Sequence, residues 1–126
     1  MTYKGVNIKM NAKASTVIPN IKETYTRDES ASCAGQGKDV VYTYSAIEIV
    51  TYLEGDSENI VKVKLLDDSV MTPKNVGVGS PKDDIVKAYG NKYTESNGHL
   101  IYSDSNAELK FFMGSNGCTG VEFLAK

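Results

Sequence analysis

The chain of 126 residues has no tryptophan, a single histidine, two cysteines and no excess of basic residues. It also lacks any apolar run near the roughly 18 residues that a membrane-spanning helix needs. Each scarcity excludes something. A net charge of -2 and a pI near 5.4 are wrong for a nucleic-acid binder, which carries a basic excess. Cys33, Cys118 and the lone His99 are too few ligands for a structural zinc site. The opening Met1-Thr2-Tyr3-Lys4 has no apolar stretch of the kind a signal peptide carries. Two expectations follow: a cytoplasmic protein, or a mature domain without its leader.

What is present is an ordinary globular balance, 40% apolar and 24% charged residues, in a length that suits one domain with a real core. Eight tyrosines against three phenylalanines place the aromatic load on side chains that pack with the ring and keep the hydroxyl wet. The strongest pattern is internal. Val6-Asn7-Ile8, Val17-Ile18, Tyr44, Ile47-Glu48-Ile49 and Val61-Lys62-Val63-Lys64-Leu65 are followed, in the same order, by a second series. That series is Val76-Gly77-Val78, Ile85-Val86, Tyr102, Ala107-Glu108-Leu109 and Thr119-Gly120-Val121-Glu122-Phe123. Self-similarity on this scale implies two structural units sharing one core.

The elements follow from period and punctuation. Val6, Ile8 and Met10 alternate as a short lead-in strand. Ser15-Thr16 with Val17, Ile18 and Ile21 suggests a helix, restricted by Pro19 to a start near that residue. Residues 26–38 are polar and glycine-bearing, so they read as a loop holding Cys33. Strands are expected through Val40–Tyr44, 47–53 and 60–66, and again through 100–103, 108–113 and 118–124, with turns at Asn97-Gly98 and Asn116-Gly117. Ser80-Pro81-Lys82-Asp83 predicts a helix start, with Ser80 as cap, and Gly90 its end. The expected fold class is α+β: a single domain, 1–126, built from two α-β-β-β units at about 3–68 and 73–124. Their strands would join in a curved antiparallel sheet with both helices on one face.

Most chemistry-bearing residues have a plain structural reading. Cys33 with His99 would make a thiol–imidazole enzyme only if the two lay within hydrogen-bond reach. Gly77-Val78-Gly79-Ser80 before a helix suits an anion, but a phosphate loop needs a longer glycine-rich span and a lysine before the hydroxyl. Asp67-Asp68 and Asp83-Asp84 lack the ligand spacing of a calcium loop, and Asp83 and Asp84 fit a helix N-terminus. No catalytic residue, metal site or cofactor is therefore expected. The two cysteines either form one bridge or stay as thiols.

The sheet offers more. If Ile47, Ile49, Val61, Val63, Leu65, Leu109, Phe111, Val121 and Phe123 point inward, alternation puts Val41, Val50, Tyr52, Ile101, Phe112 and Leu124 on the other face. They share it with Glu48, Lys62, Lys64, Glu108, Lys110 and Glu122. Aromatic residues with a charged rim are the make-up of a binding patch. The expected site is Val50, Tyr52 and Phe112 as anchors with Lys62 and Lys110 on the rim, holding a protein or peptide. The rival is that Tyr52 and Phe112 merely shield the sheet or bury each other across a two-fold or pseudo-two-fold contact.

Several segments also carry a resemblance. Residues 32–39 (Ser-Cys-Ala-Gly-Gln-Gly-Lys-Asp), Val41-Tyr42-Thr43-Tyr44, Ile49-Val50-Thr51-Tyr52, Leu66-Asp67-Asp68-Ser69-Val70-Met71-Thr72-Pro73, the stretch from Val78 to Gly90, and Cys118-Thr119-Gly120-Val121-Glu122-Phe123 resemble small extracytoplasmic lipoprotein domains of Gram-positive, mainly clostridial, bacteria. The glycine, capped helix and Tyr-Gly unit is similar, more distantly, to the repeats of the β-lactamase-inhibitory-protein-like fold shared by lipoproteins of the SmpA/OmlA type. The resemblance implies a cell-envelope protein of unknown function whose only membrane attachment is a lipid anchor absent from this chain. It favours a Cys33–Cys118 disulfide, since such bonds persist outside the cytosol. It supplies no catalytic residue. A non-enzymatic binding domain is the resulting expectation, with a Cys33/His99 enzyme and a purely structural or dimerising domain as alternatives.

Overall fold

The computed structural model describes residues 2–31, 36–104 and 107–125. A small hairpin of β1 (Thr2–Tyr3) and β2 (Val6–Asn7) turns at Lys4-Gly5, both at positive φ (49° and 82°). Two 3-10 turns follow, Ala14–Thr16 and Ile18–Asn20. The sheet then runs β3 (Thr26–Ala31), β4 (Lys38–Thr43), β5 (Ile47–Glu54) and β6 (Ser57–Leu65). After α1 (Lys82–Tyr89) come β7 (Thr94–Ser96), β8 (His99–Ser103), β9 (Ala107–Gly114) and β10 (Gly117–Ala125). All eight strands form one antiparallel sheet in the order β3-β4-β5-β6-β10-β9-β8-β7. Two meanders thus meet edge to edge where β6 pairs with β10.

Period-two alternation sets the faces. Val40, Ile47, Ile49, Val63, Phe111 and Val121 are fully buried on the inner face. The helical and loop segments contribute Ile8, Val17, Ile18, Val76 and Ile85 to that same core. On the outer face Val41, Val50, Lys62, Lys110, Phe112 and Leu124 are all half-buried. Each of the two central hairpins carries one bulge, at Val61 opposite Val50/Thr51 and at Thr119 opposite Phe112/Met113. An extra residue flips the parity of the strand on one side of it. Val61, expected inward, is therefore half-buried, and Ile60 takes the inner position at 0% exposure.

The repeat appears in the register. β5 begins at Ile47 and β9 at Ala107, while β6 begins at Ser57 and β10 at Gly117, an offset of sixty residues in both hairpins. The segments ahead of each sheet half are offset by sixty-eight. Asn11 N–H and Ala12 C=O clasp the backbone of Ile60 (2.7 and 2.8 Å), as Gly79 N–H and Ser80 C=O clasp that of Cys118 (2.7 and 2.9 Å). The eight extra residues of the first half lie in the β3–β4 hairpin.

The fold is mostly β, which corrects the expected α+β class of paired α-β-β-β units with two helices on one face. Only one α-helix forms among the described residues. The segment around Val17 and Ile21 closes as 3-10 turns because Pro19, at the heart of the short apolar pattern, supplies no N–H to extend a helix. The β-lactamase-inhibitory-protein-like arrangement goes with that class. The segment expected as one loop, 26–38, contains β3, exposed throughout and paired along its length with β4. At α1 the cap shifts by one residue: Pro81 is the N-cap, and the Ser80 hydroxyl instead accepts the Gly77 N–H at 2.9 Å. Gly90 ends the helix at φ 93°.

Candidate functional site

Two transverse rows organise the centre of the outer face. One runs Thr43, Glu48, Lys64, Glu122, Lys110, Ile101 across β4, β5, β6, β10, β9 and β8. The other runs Val41, Val50, Lys62, Leu124, Glu108, Ser103 over the same strands. In the first row charge alternates strand by strand, which favours each neighbouring pair. Lys62 also reaches diagonally to Glu122 at 3.4 Å. Such a partly exposed pair contributes below about 1 kcal/mol.

The five expected site residues share this face but do not converge. Val50 and Lys62 stand directly opposite each other. Lys110 lies with its ammonium 4.7 Å from the centre of the Phe112 ring. Tyr52 on β5 and Phe112 on β9, counterparts sixty residues apart, lie near opposite ends of the central four strands, roughly 25 Å from each other by strand spacing and rise. Both are tied to near neighbours. The Tyr52 hydroxyl accepts the Gly37 N–H and donates to Glu54, each at 3.0 Å. Phe112 packs against His99 (ring centres 5.1 Å apart) and faces Gly120 across the ladder, covering a position that has no side chain of its own. Neither aromatic stands alone in solvent. The residues best placed at the middle are Val41, Val50 and Leu124, and the charge ladder beside them was visible in sequence only once the strand order was known.

On the inner face each half ends in a cluster of tyrosines. In the first, Tyr25 packs on Tyr42 (5.3 Å) and Tyr44 (5.4 Å), and Tyr3 meets Tyr44 edge-on at 6.0 Å. In the second, Tyr93 packs on Tyr102 at 5.7 Å and Tyr102 on Tyr89 at 5.5 Å. Glu23 holds the first cluster. It accepts the Tyr3 hydroxyl at 2.6 Å and the Ser45 hydroxyl at 2.7 Å, and these bonds to its charged form draw its carboxyl below the usual range. Burial pushes Tyr44 up to about 12. Its hydroxyl is buried and has no hydrogen-bond partner among the described residues.

Cys118 is a free, buried thiol, which corrects the expected Cys33–Cys118 disulfide. Its Sγ donates to the Gly120 carbonyl at 3.1 Å, and burial raises its pKa, so it is no ready nucleophile. The physical reason is placement: Cys118 begins β10 on the inner side, inside the core, where Gly120 satisfies it. Cys33 itself lies outside the described residues, and with it the proposed Cys33/His99 pair. His99 has its own role, accepting the Met113 N–H at Nδ1 (3.0 Å). Among the described residues no three His, Cys, Asp or Glu side chains gather as a metal site, and no helix is long and apolar enough to cross a membrane. Compared with protein-family models, curated proteins and solved structures, the chain matches none of them.

Proposed function

We propose that this chain is a non-enzymatic recognition module of the cell envelope that lays a protein or peptide segment across the central rows of its outer sheet face. The observation behind this is the unequal treatment of the two faces. The helical and loop segments bury their apolar residues against the inner face, while the outer face is left half-buried by its own side chains. Its middle combines Val41, Val50 and Leu124 with alternating Glu48, Lys64, Glu122 and Lys110. A face of that kind supplies contact area from the aliphatic residues and orientation from the charges. Envelope location and lipid anchorage rest on the resemblance of the segments named above.

The test uses photo-crosslinkers placed singly at Val50, at Leu124 and, as a control, at Lys87 on the exposed side of α1. Cross-links to one partner from Val50 and Leu124 but not from Lys87 support the reading. Equal labelling at all three positions, or none at the sheet, refutes it. Val50 and Leu124 are chosen over Tyr52 and Phe112 because the latter pair also hold neighbouring structure, so their loss would mix folding with binding.

A further inference from the structure

The two halves serve as comparisons for each other, and one of their differences lies at the β4–β5 and β8–β9 ends of the inner face. Near the β4–β5 turn of the first half, Ile49 and Val63 on the inner face are fully buried. Tyr3, only 4% exposed, lies over this end, with its ring against Tyr44 and its hydroxyl on Glu23. Ile47, the first residue of β5, is wholly buried as well. At the β8–β9 end of the second half the small Ala107 stands where Ile47 would be, and Phe123, the counterpart of Val63, is only half-buried. The residue sixty-eight beyond Tyr3 is Met71, which is 38% exposed and borders the groove beside Tyr3 rather than this end of the sheet. No described residue takes the place of Tyr3.

The result is a cavity of about 470 Å³ lined by Tyr89, Tyr102, Ala107, Leu109 and Phe123. That volume is in the range of small ligand sites. Its walls are aromatic and aliphatic. Lys74, Lys92 and Asp104 also border it. The apolar walls, not the rim, supply the contact area, and an aromatic ring matches them. Lys74 is already engaged over the Tyr89 ring at 5.0 Å.

We propose that this cavity is a socket for one aromatic side chain, tyrosine first, presented by an extended segment of a partner protein, as Tyr3 is presented by its short hairpin in the first half. The site is separate from the outer face and stands independently of the function assigned there. Extended-segment presentation is what β1–β2 already does, and the aromatic walls supply offset and edge-on ring contacts.

The test is a titration of the full chain with N-acetyl-tyrosinamide, followed by backbone and methyl NMR. Saturable shifts are expected at Tyr102, Ala107 and Phe123, with a dissociation constant on the order of millimolar, as suits a ligand of this size. Ala107→Ile, which restores the first half's residue, weakens binding by about tenfold or more and leaves the melting temperature level or higher. Tyr3→Ala opens the matching cavity in the first half and adds a second set of shifts at Tyr44 and Ile47. If that variant unfolds, the wild-type and Ala107→Ile titrations still decide. Unchanged binding in Ala107→Ile, shifts confined to Val50 and Phe112 on the outer face, or no saturable response would each overturn the socket.

Discussion

Val63 on β6 stands directly opposite Phe123 on β10, and the two are counterparts in the repeat, sixty residues apart. An approximate two-fold axis therefore passes through this pair, and each meander completes the other's sheet. Alone, either four-stranded meander would leave the pairing edge of β6 or β10 open. The shared ladder makes the halves one unit.

Unfolding is accordingly expected to be a single transition. Val63→Ala, at a fully buried position, removes two methyl groups beside the axis and costs about 2 kcal/mol. Calorimetry or urea unfolding followed by two probes checks this. Two separated transitions would mean that each meander holds its own structure without the other.

Glu23 makes the first half acid-sensitive. Its carboxyl titrates below the ordinary value in the folded chain because Tyr3 and Ser45 donate to its charged form. The stability it lends is full above the unfolded carboxyl's pKa and is lost as pH falls through the lowered folded value. Glu23→Gln should therefore show a shallower fall in melting temperature between neutral pH and about pH 3 than the parent chain. Parallel curves for the two proteins would contradict this role.

Tyr44 acts at the other end of the scale. With its pKa pushed up to about 12 by burial, the ionised form is penalised in the fold, so stability falls as pH rises from the unfolded tyrosine's value near 10 through about 12. Absorbance titration near 295 nm should show one tyrosine ionising late, together with unfolding. Tyr44→Phe deletes a buried hydroxyl that has no partner among the described residues. It should raise stability by about 1 kcal/mol and abolish the late step. A destabilised Phe variant would show that the hydroxyl is satisfied in solution.

The free Cys118 thiol predicts indifference to reductant. Dithiothreitol should leave the melting temperature unchanged, and native Cys118 should resist alkylation until urea exposes it, as its burial and raised pKa require. Peptide mapping under non-reducing conditions checks the same point. A linked Cys33–Cys118 fragment would restore the bridge that the sequence resemblance favoured.

The strands were legible because half-buried antiparallel sheets write their two faces into alternate residues. Ile47, Ile49 and Val63 against Glu48, Val50 and Lys62 fixed parity correctly, and Asn97-Gly98 marked its turn, where both residues adopt positive φ (53° and 84°). β3 was not legible. Its six residues are all exposed, so no apolar period exists to betray it, and only pairing with β4 makes it a strand. Val17, Ile18 and Ile21 misled for the opposite reason: an apolar triplet spaced for a helix also fits two 3-10 turns, and Pro19 decided between them. Of the candidate site, face membership was readable, since it needs only alternation. Distance was not. That Tyr52 and Phe112 lie far apart follows from β6 pairing with β10, a long-range choice that leaves no local trace. The bulge at Val61 was hidden for the same reason.

The eight additional residues in the β3–β4 hairpin make the two rims of the sheet unlike. β3 offers six residues bearing Arg27, Asp28 and Glu29, whereas β7 offers three. A perfectly duplicated chain would expose twin borders of equal length, and successive copies could then dock rim to rim without limit, growing into ribbons. Mismatched borders deny such stacking a common register. The imperfection of the duplication thus leaves the two open edges unequal in length and in charged residues, so they offer a second copy no matched border.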